Sequence, residues 1–569
     1  MSTRSPALGK RRDVWVTAAA GLTVALVALG TLIPLGMVLR TAFGAGALPH
    51  YAQFIASGTS RTTLRNTVVL GLLVGLCGTA LGFLFAYVQA RLDVPFKRTL
   101  HVITLIPIVS PPFAVATAAI VLYGRNGLIS HGVLGLRYDI YGLDGLVLVL
   151  SLSCYPVAYL GLLGMMRALD PSLEETAMDL GATRWQVFRT VQLPLLAPGL
   201  AAPFLLLFVE AIADLANPLV LGGDYTVLAS SAYFAVTGEF DTTSAAVYSV
   251  ILLVPTVGLF IAQRYWLAGK IRTTVTGKPA GSVHLIDGWA RWPLFALALM
   301  VGAVMLSLYV TIILGAITKI FGINQELTLE HFREVLLGTG RHSVTDTVLL
   351  ATIATPIAGL MGMVLAWLVV RHLRAAALWL DLVSMFGIAV PGTVLGIGYV
   401  LAYHTNVTMG PVTVLPALVG GSTIFGGALA IVLCYVARSL PTGQRTATAA
   451  LTQLHPSIEE ASANLGAGHG TTFWHITLPL IRPALLTGLC HSFAHSMTSV
   501  SAVVFLVTPH THIMTSRILD AVNSGRYGVA FAYCTVLTVI ILLSFGLIRL
   551  ILGGDAVLSR VDVTRTRGN

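Results

Sequence analysis

Charge is what this sequence has least of. Only 10% of its 569 residues are Asp, Glu, Lys or Arg, against 56% that are hydrophobic, and the mean hydropathy is +0.84. A soluble globular domain carries about 25% charged residues, so a chain this poor in charge cannot keep a surface of its size wet, and lipid must be its main solvent. Cysteine is also scarce. Cys77, Cys154, Cys434, Cys490 and Cys534 all fall in apolar runs with no CxxC pair, which argues against a disulfide framework or a zinc site. No GxxxxGK[ST] loop occurs. Gly277-Lys278 is followed by proline, so nucleotide phosphates are not cradled by that route. No catalytic constellation is evident, and no enzyme activity of the chain's own is expected. The net charge of +10 comes from basic residues scattered singly rather than clustered on one face, which argues against nucleic acid as a partner.

What is present is a series of long apolar runs. Six lie at Trp15–Val38, Val68–Val88, Val102–Tyr123, Leu146–Met166, Leu200–Leu219 and Ala245–Trp266. Six more lie at Pro293–Ile317, Val348–Val370, Ala377–Ala402, Leu418–Val436, Leu485–Val507 and Val529–Leu552. Each has about the 20 residues a helix needs to cross the hydrocarbon core. In lipid the backbone must satisfy its own hydrogen bonds, so helices are expected throughout. The reading is an all-α polytopic membrane protein with about twelve transmembrane helices. Lys10, Arg11 and Arg12 precede the first run, which is too long for a signal peptide and is read as a retained helix. Most of the lysine and arginine falls in alternate connecting segments, and residues 221–245 have none. That bias places both termini in the cytoplasm.

The chain repeats itself. Pro171-Ser-Leu-Glu-Glu-Thr-Ala-Met-Asp-Leu-Gly-Ala aligns with Pro456-Ser-Ile-Glu-Glu-Ala-Ser-Ala-Asn-Leu-Gly-Ala at an offset of 285, with 13 of 30 positions identical from residue 171 onward. Earlier, Gly82, Ala86, Arg91 and Pro111 match Gly362, Ala366, Arg371 and Pro391 at an offset of 280. Six helices per half is an even number, so the two repeats share one orientation and are related by an axis along the membrane normal. The reading divides the chain into a first half (1–267), a cytoplasmic linker (268–291) with Lys270, Arg272 and Lys278, and a second half (292–569).

The repeated segment is polar and lies on the cytoplasmic side. It reads Glu175-Thr-Ala177, three residues, Gly181, nine residues, Val191-Gln-Leu193-Pro194. Its second copy reads Glu460-Ala461-Ser462, three residues, Gly466, nine residues, Ile476-Thr-Leu478-Pro479. Leu173, Ala177 and Leu180 share one face of a short helix, as do Ile458, Ser462 and Leu465. Gly181 and Gly466 can take positive φ and end those helices. A second short helix, then Leu-Pro at the start of the next span, completes a bent knob with an apolar side. This pattern resembles the EAA signature (EAA-x3-G-x9-I-x-LP) of ABC importer permeases, and the resemblance covers essentially the whole chain. It implies a type I ABC importer permease fold with both permease halves fused. It also implies no cofactor, a separate ABC ATPase subunit in two copies, and a periplasmic or lipid-anchored solute-binding protein in a bacterial plasma membrane. By resemblance, Glu175, Ala177, Gly181, Leu193 and Pro194, with Glu460, Ala461, Gly466, Leu478 and Pro479, form the ATPase-coupling surfaces. Thr176 and Ser462 depart from the family's alanines but stay small. As the resemblance implies, ATP closes the ATPases, the knobs move with them, and the halves rock about a central path.

Ionisable groups inside spans mark function by default. Glu210 and Asp214 are four apart, which places them on one face of the fifth span. Their partners at offset 285 are His495 and Ser499. These four residues are read as lining or gating the path. His491, four before His495, lacks a paired carboxylate, and no metal site is expected. For the solute, Asp214-Leu-Ala-Asn-Pro-Leu-Val-Leu-Gly-Gly-Asp and Met497-Thr-Ser-Val-Ser-Ala-Val-Val-Phe look similar to segments of fused permeases for ferric iron, with 2-aminoethylphosphonate permeases as the alternative. Twelve spans in two like-oriented halves also describe secondary transporters, but these lack paired docking knobs.

Overall fold

The computed structural model describes residues 14–137, 139–263, 291–373, 377–409, 412–420 and 423–565. Among them, ten helices are long and apolar enough to cross a membrane, and two bent helix pairs bring the number to twelve. In chain order the spans are Val14–Ala42, Gly58–Arg91, Phe113–Val133, Leu143–Ala168, Arg184–Ala213, Thr242–Ile261, Arg291–Ile317, Arg341–His372, the pair Ala377–Ala389 and Gly392–Tyr403, Phe425–Gln453, the pair His469–Leu480 and Arg482–Thr498, and Tyr527–Ile551. Each answers to one expected run. The linker proposed for 268–291 lies outside the described residues except for Arg291.

Four departures from the sequence reading have local causes. The third run is no single helix. Lys97–Leu105 leads through a short 3-10 turn to Pro111, whose extended backbone (ψ 135) precedes a new helix from Pro112 to Tyr123. The ninth bends by 103° where Pro391 (ψ 142) separates Phe386–Ala389 from Gly392–Tyr403. Proline lacks an N–H and pushes the residue before it out of helical geometry, so Pro111 and Pro391 break both copies at matched positions. The tenth span begins later than Leu418 and runs on to Gln453, because the polar stretch after Val436 continues the same helix to the motif. The fold is also not wholly helical. Thr318–Ile320 pairs with Asn324–Leu327, and Val407–Met409 with Val412–Leu415, as antiparallel hairpins after the seventh and ninth spans.

Within each half, the second, fourth and fifth spans of the repeat pack tightly together. Gly82 and Gly362 allow this. A Cβ at Gly82 would lie 2.6 Å from the Ala158 Cβ, and one at Gly362 would lie 2.9 Å from the Gln444 backbone nitrogen. Small residues let helix backbones approach in this way. The first span of each half, however, reaches into the other half, although the seventh also packs along Tyr527–Ile551 of its own. Tyr399 Oη donates to the Gly30 carbonyl at 2.9 Å, and Trp15 meets Trp367 and Phe473 at ring distances of 5.3 and 5.6 Å. Reciprocally, Tyr309 on the seventh span bonds Ser110 at 2.6 Å, and Arg291 donates to the Asp93 carbonyl at 2.8 Å. The two halves are therefore clasped by helices that reach across.

Candidate functional site

The two motif copies fold alike. Ser172–Asp179 and Ser457–Asn464 are short helices, closed by Gly181 at φ +87 and Gly466 at φ +85. Glycine adopts this left-handed geometry without the steric cost a Cβ brings. The chain then turns into Arg184–Val187 or His469–Thr472, passes through one π-helical turn (Phe188–Gln192, Phe473–Thr477), and reaches Leu193-Pro194 or Leu478-Pro479. In the first copy a capping box between Thr183 and Gln186 starts the second helix. Leu193 and Leu478 begin the next helix in both copies, with the proline near its N-terminus, where a missing N–H costs nothing.

The tip of each knob is an exposed leucine, Leu180 at 84% and Leu465 at 88%. Leu173, Trp185 and Trp474 extend the exposed apolar surface. Ala461 and Glu460 are exposed, while Glu175 and Ala177 are half-buried. Ser462 corrects the face assignment made from sequence. It is buried, and its hydroxyl bonds Thr472 at 2.8 Å, tying the two short helices together.

The anchoring carboxylate of each knob is the glutamate before the motif's own, which sequence reasoning missed. Glu174 receives Arg91: Nη1 donates to Oε2 at 3.2 Å and Nη2 lies 2.7 Å from Oε1, with both side chains largely sealed from solvent. In the second half Glu459 sits 3.6 Å from Arg371 Nε and accepts from Thr477 Oγ1 at 3.2 Å. Arg371 also donates to the carbonyls of Leu451 and Leu454. The signal was available, since Arg91 and Arg371 occupy one repeat position and both copies carry a Glu-Glu pair.

Beneath the knobs the halves differ. Trp185 stacks on Phe188 at 5.5 Å beside Phe83 and Tyr87, and an apolar cavity of about 380 Å³ opens there, closed on one side by Leu294. At the matching place in the second half, Trp15 fills the socket between Trp367 and Phe473.

At the end of the fifth span Glu210 and Asp214 stay near each other, close enough for the Glu210 charge to bear on Asp214. The fifth span ends at Ala213, and Asp214 lies beyond it with ψ 135. Its carboxylate accepts from the Asn217 backbone N–H at 3.0 Å and from Asn217 Nδ2 at 2.9 Å, starting the helix Ala216–Leu221. The extended ψ of Asp214 turns only the chain that follows it, so its side chain still leaves the helix on the side of Glu210. The second half ends its span in register. Arg482–Thr498 stops before Ser499, whose carbonyl accepts from Thr515. Glu210, on the last turn, is exposed, and forms no hydrogen bond or ion pair among the described residues. His495 Nδ1 is buried without a partner, and His491 stacks one turn away at 6.0 Å.

Arg438 completes this group and went unread, since the tenth run was ended at Val436. Its charge bears on both Glu210 and His495. Nε and Nη1 are buried and unbonded. At offset 285 its counterpart is Ser153, and Pro156 and Pro441 sit three residues further on in both spans. Among the described residues no three His, Cys, Asp or Glu side chains stand close enough to hold a metal ion.

Two like-oriented helical halves, clasped by helices that reach across and carrying paired exposed knobs, define a multi-pass membrane permease. The chain belongs to the family of binding-protein-dependent transport system inner membrane components, which matches it twice, over residues 78–268 and 358–554. It is thus a fused permease of the ABC importer class. It is 33% identical over 502 residues to the ferric transport system permease protein FbpB of Actinobacillus pleuropneumoniae, an alignment covering 86% of this chain and 71% of that protein. Against the putative ferric transport system permease protein FbpB 1 of Haemophilus influenzae (strain ATCC 51907 / DSM 11121 / KW20 / Rd), identity is 33% over 466 residues, 79% of this chain and 71% of that one. A solved bacterial ABC transporter involved in import of the acidic polysaccharide alginate aligns with 45% of this chain and 96% of its own, at 17% identity and a TM-score of 0.37.

Proposed function

We propose that this chain is the permease of a ferric-iron ABC importer, with residues 1–267 and 292–569 as its two halves, joined by a cytoplasmic linker. Each knob docks into one copy of an ATPase subunit that performs all nucleotide chemistry. The observation that carries this reading is the pair of leucine tips, Leu180 and Leu465, presented to solvent at equivalent positions on knobs anchored by Arg91–Glu174 and Arg371–Glu459. Exposure of a single leucine needs no explanation, but its repetition at the tips of two anchored, equivalent knobs supports a docking role. Glu175 and Glu460, with Ala177, Ala461, Gly181, Gly466 and the Leu-Pro pairs, shape the same surface. Both termini lie in the cytoplasm of a bacterial inner membrane, and a solute-binding protein delivers the cargo to the outer loops.

Ferric iron is favoured by the likeness to the two ferric transport permeases FbpB, and Glu210 supplies an unpaired carboxylate on the path. The test is ATP hydrolysis by the complex of chain, ATPase and binding protein in lipid nanodiscs. Ferric iron with binding protein is expected to stimulate hydrolysis, and Glu175→Ala/Glu460→Ala to abolish the stimulation. If no ATPase associates with the chain, the docking reading fails and a secondary transporter takes its place.

A further inference from the structure

The centre of the path is electrically lopsided. By repeat symmetry Ser153 corresponds to Arg438, Glu210 to His495, and Asp214 to Ser499. The first half thus contributes the acids and the second half the bases. Asp214 is already committed to Asn217, which leaves Glu210 as the free carboxylate. The Arg438 guanidinium is equally unsatisfied, with no hydrogen bond or ion pair among the described residues and with Nε and Nη1 buried.

The surroundings of Arg438 sharpen the point. A Cβ placed on Gly392 would lie 2.8 Å from Arg438 Nη1, beside Ser501 and the Ala502 backbone nitrogen. Gly392 opens the helix Gly392–Tyr403, the second limb of the broken ninth span. The guanidinium therefore rests against the positive end of a helix dipole, where a lone cation is disfavoured and an anion is stabilised. Half-helix N-termini of broken membrane helices serve as sites for anionic groups of transported solutes. A cation and a helix N-terminus that both lack an acceptor thus lie together, and the charge of that cation bears on a carboxylate that lacks a donor.

We propose that the centre of the path is a transit site for a solute presenting a cationic centre and an oxyanion together, the cation toward Glu210 and the oxyanion toward Arg438 and the N-terminus of Gly392–Tyr403. The proposal rests on the importer reading above. Two sources share this chemistry: a ferric ion that keeps an oxyanion ligand, and a zwitterionic aminophosphonate. Each wall offers few ligands, which suits passage, since a transit site must bind weakly enough to release.

The experiment uses the whole complex, with binding protein and ATPase, in ATP-loaded proteoliposomes. The probes are radio-iron supplied with radiolabelled phosphate and, separately, radiolabelled 2-aminoethylphosphonate. For ferric cargo, labelled phosphate is expected to enter in proportion to iron. Arg438→Ser, which installs the residue of the first half, should cut uptake of both by about tenfold or more, as loss of a charge partner at close range does. Arg438→Lys should stay near wild type. Uptake of aminophosphonate without iron, again lost in Arg438→Ser, keeps the site and overturns only the ferric reading. Iron entering without phosphate, wild-type uptake by Arg438→Ser, or uptake of neither probe by the native complex overturns the proposal. Should Arg438→Ser fail to assemble on gel filtration, Glu210→Gln, which preserves shape, replaces it, and unchanged uptake in that variant is equally fatal.

Discussion

Replacing Arg91 by methionine tests how the first knob is held. Arg91 is 3% exposed and Glu174 14%, and they meet through one hydrogen bond at 3.2 Å and a second ion contact at 2.7 Å. Removing one partner of a sealed ion pair strands the other charge, at a cost of about 3–5 kcal/mol. Glu174 can avoid that cost by swinging out to water, but only by distorting Ser172–Asp179, the helix that presents the Leu180 tip. If even the lower figure falls on the docked geometry, ATPase binding weakens about 100-fold, at about 1.4 kcal/mol per decade. The assay is titration of the ATPase subunit onto nanodisc-embedded permease, with coupled hydrolysis measured in parallel. Arg91→Met/Glu174→Met, which leaves no stranded charge, should recover most of the loss, since apolar replacements of a buried pair are close to neutral. Binding by the single variant within about threefold of wild type, under 1 kcal/mol, would refute the claim that this pair sets the knob.

Further outcomes follow from the same geometry. Leu180→Ser and Leu465→Ser should each weaken ATPase docking by about 1.5–3 kcal/mol, the value of burying a leucine, while thermal unfolding of the permease alone is unchanged because both tips are exposed. Trp15→Ala should open a cavity between Trp367 and Phe473, lowering stability by about 3–5 kcal/mol less any collapse, and should impair the second knob more than the first when tested against Glu175→Ala and Glu460→Ala. Gly181→Ala and Gly466→Ala force a Cβ into left-handed backbone and should each cost about 1–2 kcal/mol, read as reduced coupled hydrolysis. At Asp241, partial burial raises the carboxyl pKa, but hydrogen bonds from Ser244 and Thr243 and the nearby His50 together hold it below the usual carboxylate value. Its stabilisation is therefore complete above the ordinary carboxylate range and fades as pH falls through the lowered value, so Asp241→Asn should flatten the loss of thermal stability as pH is taken below the ordinary carboxylate pKa of about 3.9.

Sequence alone determined a great deal here, because lipid leaves the backbone few choices. Twenty apolar residues in hydrocarbon must form a helix, so the twelve spans, their pairing into halves and the two knobs could be read from hydropathy and self-similarity. The glycines at 181 and 466 were legible for a related reason: a turn that demands positive φ restricts which residue can occupy it. Other features depended on distance between segments remote in the chain. Nothing in the pattern of Val14–Ala42 says that this span lies against the second half, because the reach of a first span across is a matter of surface fit between helices of equal hydropathy. Glu174 and Glu175 are neighbours of identical chemistry, and only the position of Arg91, held by packing around Gly82, selects the first as the anchor. The chain turns out of the fifth span at Asp214, whose carboxylate accepts from an Asn217 three residues on. Arg438, two residues beyond where hydropathy ended its span, is placed beside Gly392 only because the helix continues to Gln453 and the broken ninth span sets its N-terminus against the guanidinium. Hydropathy reports the solvent each segment meets, whereas the site depends on which segments meet each other.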